Sequence, residues 1–260
     1  MFLKTHKTGG STVQNLVLRY VDKKNLTLAT PPWDKVTFND RTRFAAEYVR
    51  NFKNRKSYDV ITHHLRFDST QNPSWFDFGY DCRAEDSEEL YVRALVEIET
   101  SFNLILISEY FDEGMILLKE ALCWDIDDVV TFKHNSRSEK DIKTVSKDMA
   151  VKIQEWNSLD SRLYQHFNVT FWAKVQEMMG LARLQHEVAV LREKRSMLEK
   201  QCSPDGLVEV DSGKYFKEGV HLMGHSLRSD LDNEQKKKCE LYFIHPKVYT
   251  EILYAKQHHY

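Results

Sequence analysis

The first dozen residues constrain this chain most. Phe2 and Leu3 open an apolar run that gives way to Lys4-Thr5-His6-Lys7-Thr8-Gly9-Gly10-Ser11-Thr12, a basic, hydroxyl-rich and glycine-rich stretch. Val13, Leu16, Val17 and Tyr20 then recur at helical spacing. Strand, loop and helix N-terminus, in that order, turn backbone N–H groups and the positive end of a helix dipole toward one point. An anion fits there, and a phosphate fits best. Gly9 and Gly10 let the backbone come close, Ser11 and Thr12 can cap the helix and donate hydroxyls, and Lys7 supplies a full charge. The order is not that of a Walker A loop, in which the lysine follows the glycines. A plain helix start is the competing reading.

At 260 residues the chain can build one substantial core or two small ones. Its net charge of −2 argues against a general nucleic-acid binder, which needs a basic surface. No apolar run approaches the length of a transmembrane helix, and no signal-peptide pattern occurs. The chain starts almost inside a strand, so an upstream segment is expected. Cys82, Cys123, Cys202 and Cys239 are widely spaced with no C-x-x-C, which argues against a zinc site; no metal is expected. Asn25-Leu26-Thr27 and Asn168-Val169-Thr170 are glycosylation triplets that matter only in a secretory setting.

Further along, Pro31-Pro32-Trp33 marks 21–39 as a loop. Phe44, Tyr48 and Phe52 predict a basic helix over 40–56. Tyr58 to Thr62 predicts a short buried strand running into His63-His64-Leu65-Arg66-Phe67-Asp68, and the C-terminal end of a strand is where open α/β sheets place ligands. The aromatic segment 69–84 suits core packing better than a pocket. A helix is expected over 86–100, a buried strand over Asn103–Ile107, a helix to Leu122 and an extended piece over Asp128–Phe132. This alternation points to a parallel sheet with crossover helices. From about 146 the chain reads as helical. One helix covers Ser146–His166, and a second from near Thr170 carries Leu181, Leu184, Val188, Leu191 and Leu198. Residues 203–235 read as polar loop, Lys236-Lys237-Lys238 as a solvated face, and Pro246–Lys256 as a closing helix.

Several ordered motifs together resemble the galactose-3-O-sulfotransferase family. Lys4 to Thr12 is similar to its 5′-phosphosulfate loop, His64-Leu65-Arg66-Phe67 to its His-x-Arg-Phe element, and Phe76-Asp77-Phe78-Gly79-Tyr80-Asp81 to a matching aromatic stretch. Glu109-Tyr110-Phe111-Asp112-Glu113 through Leu117-Leu118-Lys119 and Leu122-Cys123-Trp124 resembles its most recognisable block. Trp156-Asn157-Ser158-Leu159-Asp160, His166-Phe167-Asn168 and Phe171-Trp172 continue the order. The likeness covers 1–200 well and 201–260 loosely.

The resemblance implies an α/β, P-loop-like sulfotransferase fold: one domain over 1–260, with a short parallel sheet, flanking helices and a helical C-terminal half. It implies 3′-phosphoadenosine 5′-phosphosulfate (PAPS) as donor and the 3-hydroxyl of galactose on a glycolipid or glycan as acceptor. A Golgi-lumen location behind an upstream membrane anchor follows from the same likeness, and Cys202 with Cys239 is the pairing expected in such an oxidising lumen. Sulfuryl transfer places growing negative charge on the leaving phosphate, so Lys7, Thr8, Gly9, Gly10, Ser11 and Thr12 are the donor-binding candidates. His64 is the candidate base for the sugar hydroxyl, with His63 and His6 behind it. Arg66 and Glu109 are acceptor-side candidates, with a salt bridge and a helix-start carboxylate as their structural alternatives.

One departure stands out. Between His64-Leu65-Arg66-Phe67 and Phe76-Asp77-Phe78-Gly79 the family carries several tens of residues, including an Arg-Asp-Pro and a serine that grip the donor's 3′-phosphate. Here Asp68 to Trp75 alone fills the gap, and no Arg-Asp-Pro occurs in the chain. Each missing charge-assisted hydrogen bond is worth roughly 1.5–3 kcal/mol. A donor-dead galactoside-binding relative is therefore the alternative to an active enzyme. A nucleotide kinase is a weaker third reading, lacking both the Walker A order and a clear magnesium-binding aspartate.

Overall fold

The computed structural model describes residues 2, 4, 8–33, 35–38, 44–54, 57–65, 87–138, 144–210 and 222–258. Helix α1 (Gly10–Lys24) is buried on two sides, and the other elements pack around it. Val13 and Leu16 enter the main core, while Leu18 and Val21 enter a second cluster with Leu28, Tyr249 and Leu253. Asn15, buried within α1, donates to the Leu241 and Ile244 carbonyls (both 3.1 Å). The Arg19 guanidinium lies over the Tyr242 ring, 4.2 Å from its centroid, and donates to the Val130 carbonyl at 2.6 Å. These bonds satisfy polar groups that would be costly to bury alone.

Strands β1 (Leu28–Ala29) and β2 (Val60–Ile61) pair in parallel, Leu28 opposite Val60 and Ala29 opposite Ile61. A parallel bridge, Thr37 to His64, extends the ladder, and the Phe2 N–H donates to the Ile61 carbonyl at 3.0 Å. The parallel sheet is thus present but much shorter than the alternation suggests. β1 lies inside a stretch read as loop. The expected helix over 40–56 is, where described, two 3₁₀ turns at Ala46–Tyr48 and Phe52–Asn54. Asn51, at φ 58° between them, is left-handed and stops helical propagation.

Helix α2 (Ser87–Ser101) forms as expected. The expected strand over Asn103–Ile107 does not. Ile107 is extended (φ −103°, ψ 125°), but residues 103–107 have no ladder partner among the described residues. A 3₁₀ turn, Ser108–Tyr110, leads into α3 (Phe111–Leu122). The expected extended piece at Asp128 begins instead within a capped 3₁₀ turn, Ile126–Val129, whose Asp125 and Asp128 side chains close a capping box. β3 is Ser136–Arg137.

Three helices follow where two were expected: α4 (Lys147–Trp156), α5 (Ser158–Met178) and α6 (Leu181–Cys202). The first break is at Asn157, off helical geometry at φ −103°, ψ 47°. The second is at Gly180, whose φ of 75° favours glycine. His166 and Thr170 therefore lie within one helix, which presents Phe167, Phe171 and Val175 at four-residue spacing to the core. Leu184, Val188 and Leu191 of α6 pack against them as a stripe on its own domain, and Leu181 is exposed. Asp112 of α3 accepts from Arg192 (2.7 Å) and Arg195 (2.5 Å) of α6, and these guanidinium groups hold its carboxyl below the usual range despite partial burial.

The stretch read as polar loop contains β4 (Leu207–Val210) and β5 (Leu222–His225), which with β3 form an antiparallel sheet in the order β3-β5-β4. The lysine run lies on α7 (Asn233–Phe243), capped by Asp232, which accepts from the Glu234 and Gln235 N–H groups. Cys202 and Cys239 form a disulfide joining α6 to α7, the expected pairing. Cys123 is free and exposed, and Cys82 lies outside the described residues. Helix α8 (Pro246–His258) closes the chain against α1. No described helix is long and apolar enough to cross a membrane.

Candidate functional site

Thr8 is the first described residue of the glycine loop. Thr5, His6 and Lys7 lie outside the described residues, as do Arg66 and the aromatic stretch 76–81. Gly9 caps α1 in the left-handed region (φ 73°, ψ 8°), and its carbonyl accepts from the Thr12 and Val13 N–H groups at 2.9 and 3.3 Å. α-Helix geometry leaves the N–H groups of Gly10 and Ser11 without intrahelical partners. A Cβ on Gly9 would sit 3.2 Å from the Phe111 ring, which closes over the loop from the start of α3. Glycine is needed here for both its conformation and its size.

Ser11 is partly exposed at the mouth of the loop, but Thr12 is buried and its Oγ1 accepts from the His134 N–H at 3.1 Å. The Thr12 hydroxyl thus ties α1 to the chain after Phe132, a structural use that the sequence did not reveal. His134 in turn donates from Nε2 to the Tyr242 carbonyl at 2.9 Å, and burial holds its pKa down to about 3.

His64 follows β2, and its main chain is held by the bridge to Thr37 and by the Phe38 N–H, which donates to its carbonyl at 2.8 Å. Its Nδ1 lies 2.9 Å from the Lys4 carbonyl oxygen. A carbonyl only accepts, so Nδ1 carries the proton and Nε2 carries the lone pair. That is the tautomer a general base requires. The Lys4 ammonium donates to Gln14 Oε1 at 2.7 Å, and Gln14 reaches Thr62 Oγ1 at 3.3 Å. Lys4 thereby joins the start of the chain, α1 and the end of β2. Burial lowers its pKa to about 8.

His63 is 2 % exposed, and burial, then the charges of Lys4 and His64, hold it down to about 3. Its Nε2 pairs with Thr250 Oγ1 at 3.1 Å. Glu109 is exposed in the 3₁₀ turn before α3, where it accepts from the Ser108 hydroxyl at 2.8 Å and bonds the Tyr164 side chain. These contacts orient Glu109 through its neighbours, and no bond between it and His64 is present among the described residues.

A cleft next to the loop had no signature in the sequence. Lys35, His245, Lys247 and Thr250 join Lys4, Ser11 and His63 around one narrow cleft between the N-termini of α1 and α8. Lone lysines in a loop and in a helix start carry no local pattern, so only the fold brings them together. The arrangement suits the anionic end of a ligand.

The family model for galactose-3-O-sulfotransferase matches residues 1–74 and 69–257. Galactose-3-O-sulfotransferase 2 of Homo sapiens is 31% identical over 336 residues, covering 99% of this chain and 83% of the relative. Galactosylceramide sulfotransferase of Homo sapiens is 27% identical over 315 residues, covering 92% and 74%. Galactose-3-O-sulfotransferase 3 of Mus musculus is 29% identical over 336 residues, covering 98% and 77%. These alignments exceed the 260 residues of the chain, so the relatives carry residues with no counterpart here, and the family match is split where the motif spacing is short. No solved structure matches the chain significantly. With the match running over nearly its whole length, the chain belongs to the galactose-3-O-sulfotransferase family.

Proposed function

We propose that this chain transfers the sulfuryl group of PAPS to the 3-hydroxyl of galactose on a glycolipid, as in galactosylceramide, or on a glycan. It does so as one domain with a P-loop-like sulfotransferase fold. The observation that carries the reading is the fixed tautomer of His64, which is tied through Lys4 to the helix behind a loop shaped for an anion. His64 Nε2 takes the proton of the galactose hydroxyl as that oxygen bonds to sulfur. The sulfur–oxygen bond to the phosphate breaks, and its electron pair leaves with the phosphate oxygen. The N–H groups of Gly10 and Ser11, the Thr8 and Ser11 hydroxyls and Lys7 stabilise that charge. PAPS supplies an activated sulfuryl group, so no metal is needed. The family's Arg-Asp-Pro grip on the 3′-phosphate has no counterpart in the sequence. In this reading Arg66 and Glu109 serve the acceptor side. A Golgi-lumen location behind an upstream anchor is part of the same reading, and the Cys202–Cys239 disulfide supports an oxidising compartment.

The split family match supports a second reading, a galactoside-binding relative that does not use the donor. Calorimetry with 3′-phosphoadenosine 5′-phosphate (PAP), followed by labelled-sulfate transfer to galactosylceramide and lactosides, separates the two. The enzyme reading expects PAP binding at micromolar concentration and transfer that falls at least ~100-fold in His64→Ala. Galactoside binding without PAP binding or transfer establishes the second reading, and full transfer by His64→Ala removes His64 as the base.

A further inference from the structure

The cleft between α1 and α8 holds a buried imidazole nitrogen that nothing in the described fold uses. His63 Nε2 lies 3.1 Å from Thr250 Oγ1, whose own hydroxyl donates to the Pro246 carbonyl at 2.8 Å. With its proton committed, that oxygen accepts from His63 Nε2–H, and Nδ1 is left with the lone pair. Nδ1 is buried and has no hydrogen-bond partner among the described residues, although His63 lines the cleft. A buried polar atom without a partner is costly, and a ligand atom is one way to satisfy it.

The surrounding charge indicates which ligand. Lys4, Lys35 and Lys247 line the same cleft, with His245 beside Lys247. Glu251 is the acidic group of the lining, and Arg50 Nη1 donates to it at 2.9 Å, offsetting its charge. The N-termini of two helices, α1 at Ser11 and α8 at Pro246, add their partial positive charges. We propose that this cleft binds a tetrahedral oxyanion, a phosphate or sulfate group, held by His63, Lys35 and Lys247 as a contact set additional to the glycine loop. Resting on the sulfotransferase reading, it would give the chain a second anion contact that does not depend on the absent Arg-Asp-Pro. A monoprotonated phosphate can donate its hydroxyl to Nδ1, and a fully ionised group can instead accept from Nδ1–H once the imidazole takes up a proton. Burial lowers Lys4, and burial together with the Lys4 and Lys247 charges lowers His245, so an anion in the cleft also favours the charged forms of both groups.

The test uses inorganic pyrophosphate as probe, with calorimetry for affinity and imidazole ¹⁵N spectra for His63. Lys35 is exposed and Lys247 partly so, which makes the Lys35→Ala, Lys247→Ala double variant compatible with folding, checked by circular dichroism. Pyrophosphate is expected to bind the unaltered protein, to move the His63 Nδ1 resonance, and to lose at least tenfold in affinity in the double variant. Absence of binding, an unmoved His63 resonance, or equal affinity in the variant overturns the proposal. Parallel PAP titrations identify the source of the anion. If PAP displaces pyrophosphate and weakens in the double variant, the oxyanion belongs to the nucleotide. If pyrophosphate binds as expected but PAP does not bind, the cleft stands and the donor-dependent reading fails. If PAP binds with pyrophosphate still in place, the cleft serves a free or acceptor-borne oxyanion and the enzyme reading is untouched.

Discussion

Lowering the pH from 7.5 to 5.0 should destabilise the fold through three histidines, His63 buried and His134 and His245 partly so. His63 and His134 are held down to about 3 and His245 to about 4, in each case mainly by burial. A histidine in the unfolded chain titrates near 6.5. A depressed folded value means that the native state favours the neutral ring. Its contribution is fully present above about 6.5 and is lost as the pH falls toward the folded value, because the unfolded chain then binds the extra proton. Between pH 7.5 and 5.0 each such ring costs about 2 kcal/mol, and the three together about 6 kcal/mol. That is comparable to the total stability of many domains. Lys4, lowered to about 8, remains mostly protonated throughout this window and adds little slope. Urea unfolding at half-unit pH steps measures the effect. Replacing His134 with Gln, whose amide can still donate to the Tyr242 carbonyl, should remove about one proton from the slope. A stability change below about 2 kcal/mol over the whole range would refute the reasoning.

Three other outcomes follow from single contacts. Gly9→Ala should cost roughly 1–2 kcal/mol from the left-handed backbone, with a further loss of PAP affinity as the Phe111 ring gives way; equal thermal stability and affinity would count against the close approach. Opening the Cys202–Cys239 bridge with Cys202→Ser should cost roughly 4 kcal/mol for a loop of sequence separation 37, measured by denaturant unfolding under non-reducing conditions. Leu191→Ala, at a fully buried position among α3, α5 and α6, should cost about 2–5 kcal/mol, and a loss under about 1 kcal/mol would show that the neighbouring helices collapse into the space.

What could be read from the sequence was local. The spacing of Val13, Leu16 and Val17 after two glycines marked α1, and the closing helix expected over Pro246–Lys256 is α8. Helix ends were harder. Asn157 and Gly180 end α4 and α5 by their backbone angles, whereas His166 to Thr170 only has the look of a boundary. β1 is two residues long and gains its identity from Val60 and Ile61, about thirty residues away. β4 and β5 lie in polar sequence and are strands because they pair with each other. At the candidate site, the glycine before α1 and the position of His64 after a short strand were legible because the residues that set them adjoin. Thr12 was assigned to the ligand, but its inward position depends on His134, which is over a hundred residues distant. Lys35 and Lys247 carried no signal because their meaning is set by the α1–α8 packing.

That packing also sets an order of events during synthesis. Ser11 and His63 leave the ribosome early, but the opposite wall of the cleft is His245, Pro246, Lys247 and Thr250. Tyr249 and Leu253 must also seat against Leu18 and Val21 before that wall is fixed. A nascent chain of about two hundred residues therefore has its glycine loop and most of its helices but no closed cleft. The oxyanion contact proposed for the cleft is completed only when α8 emerges, so a ligand held there can stabilise the finished protein but cannot guide the folding of its first half.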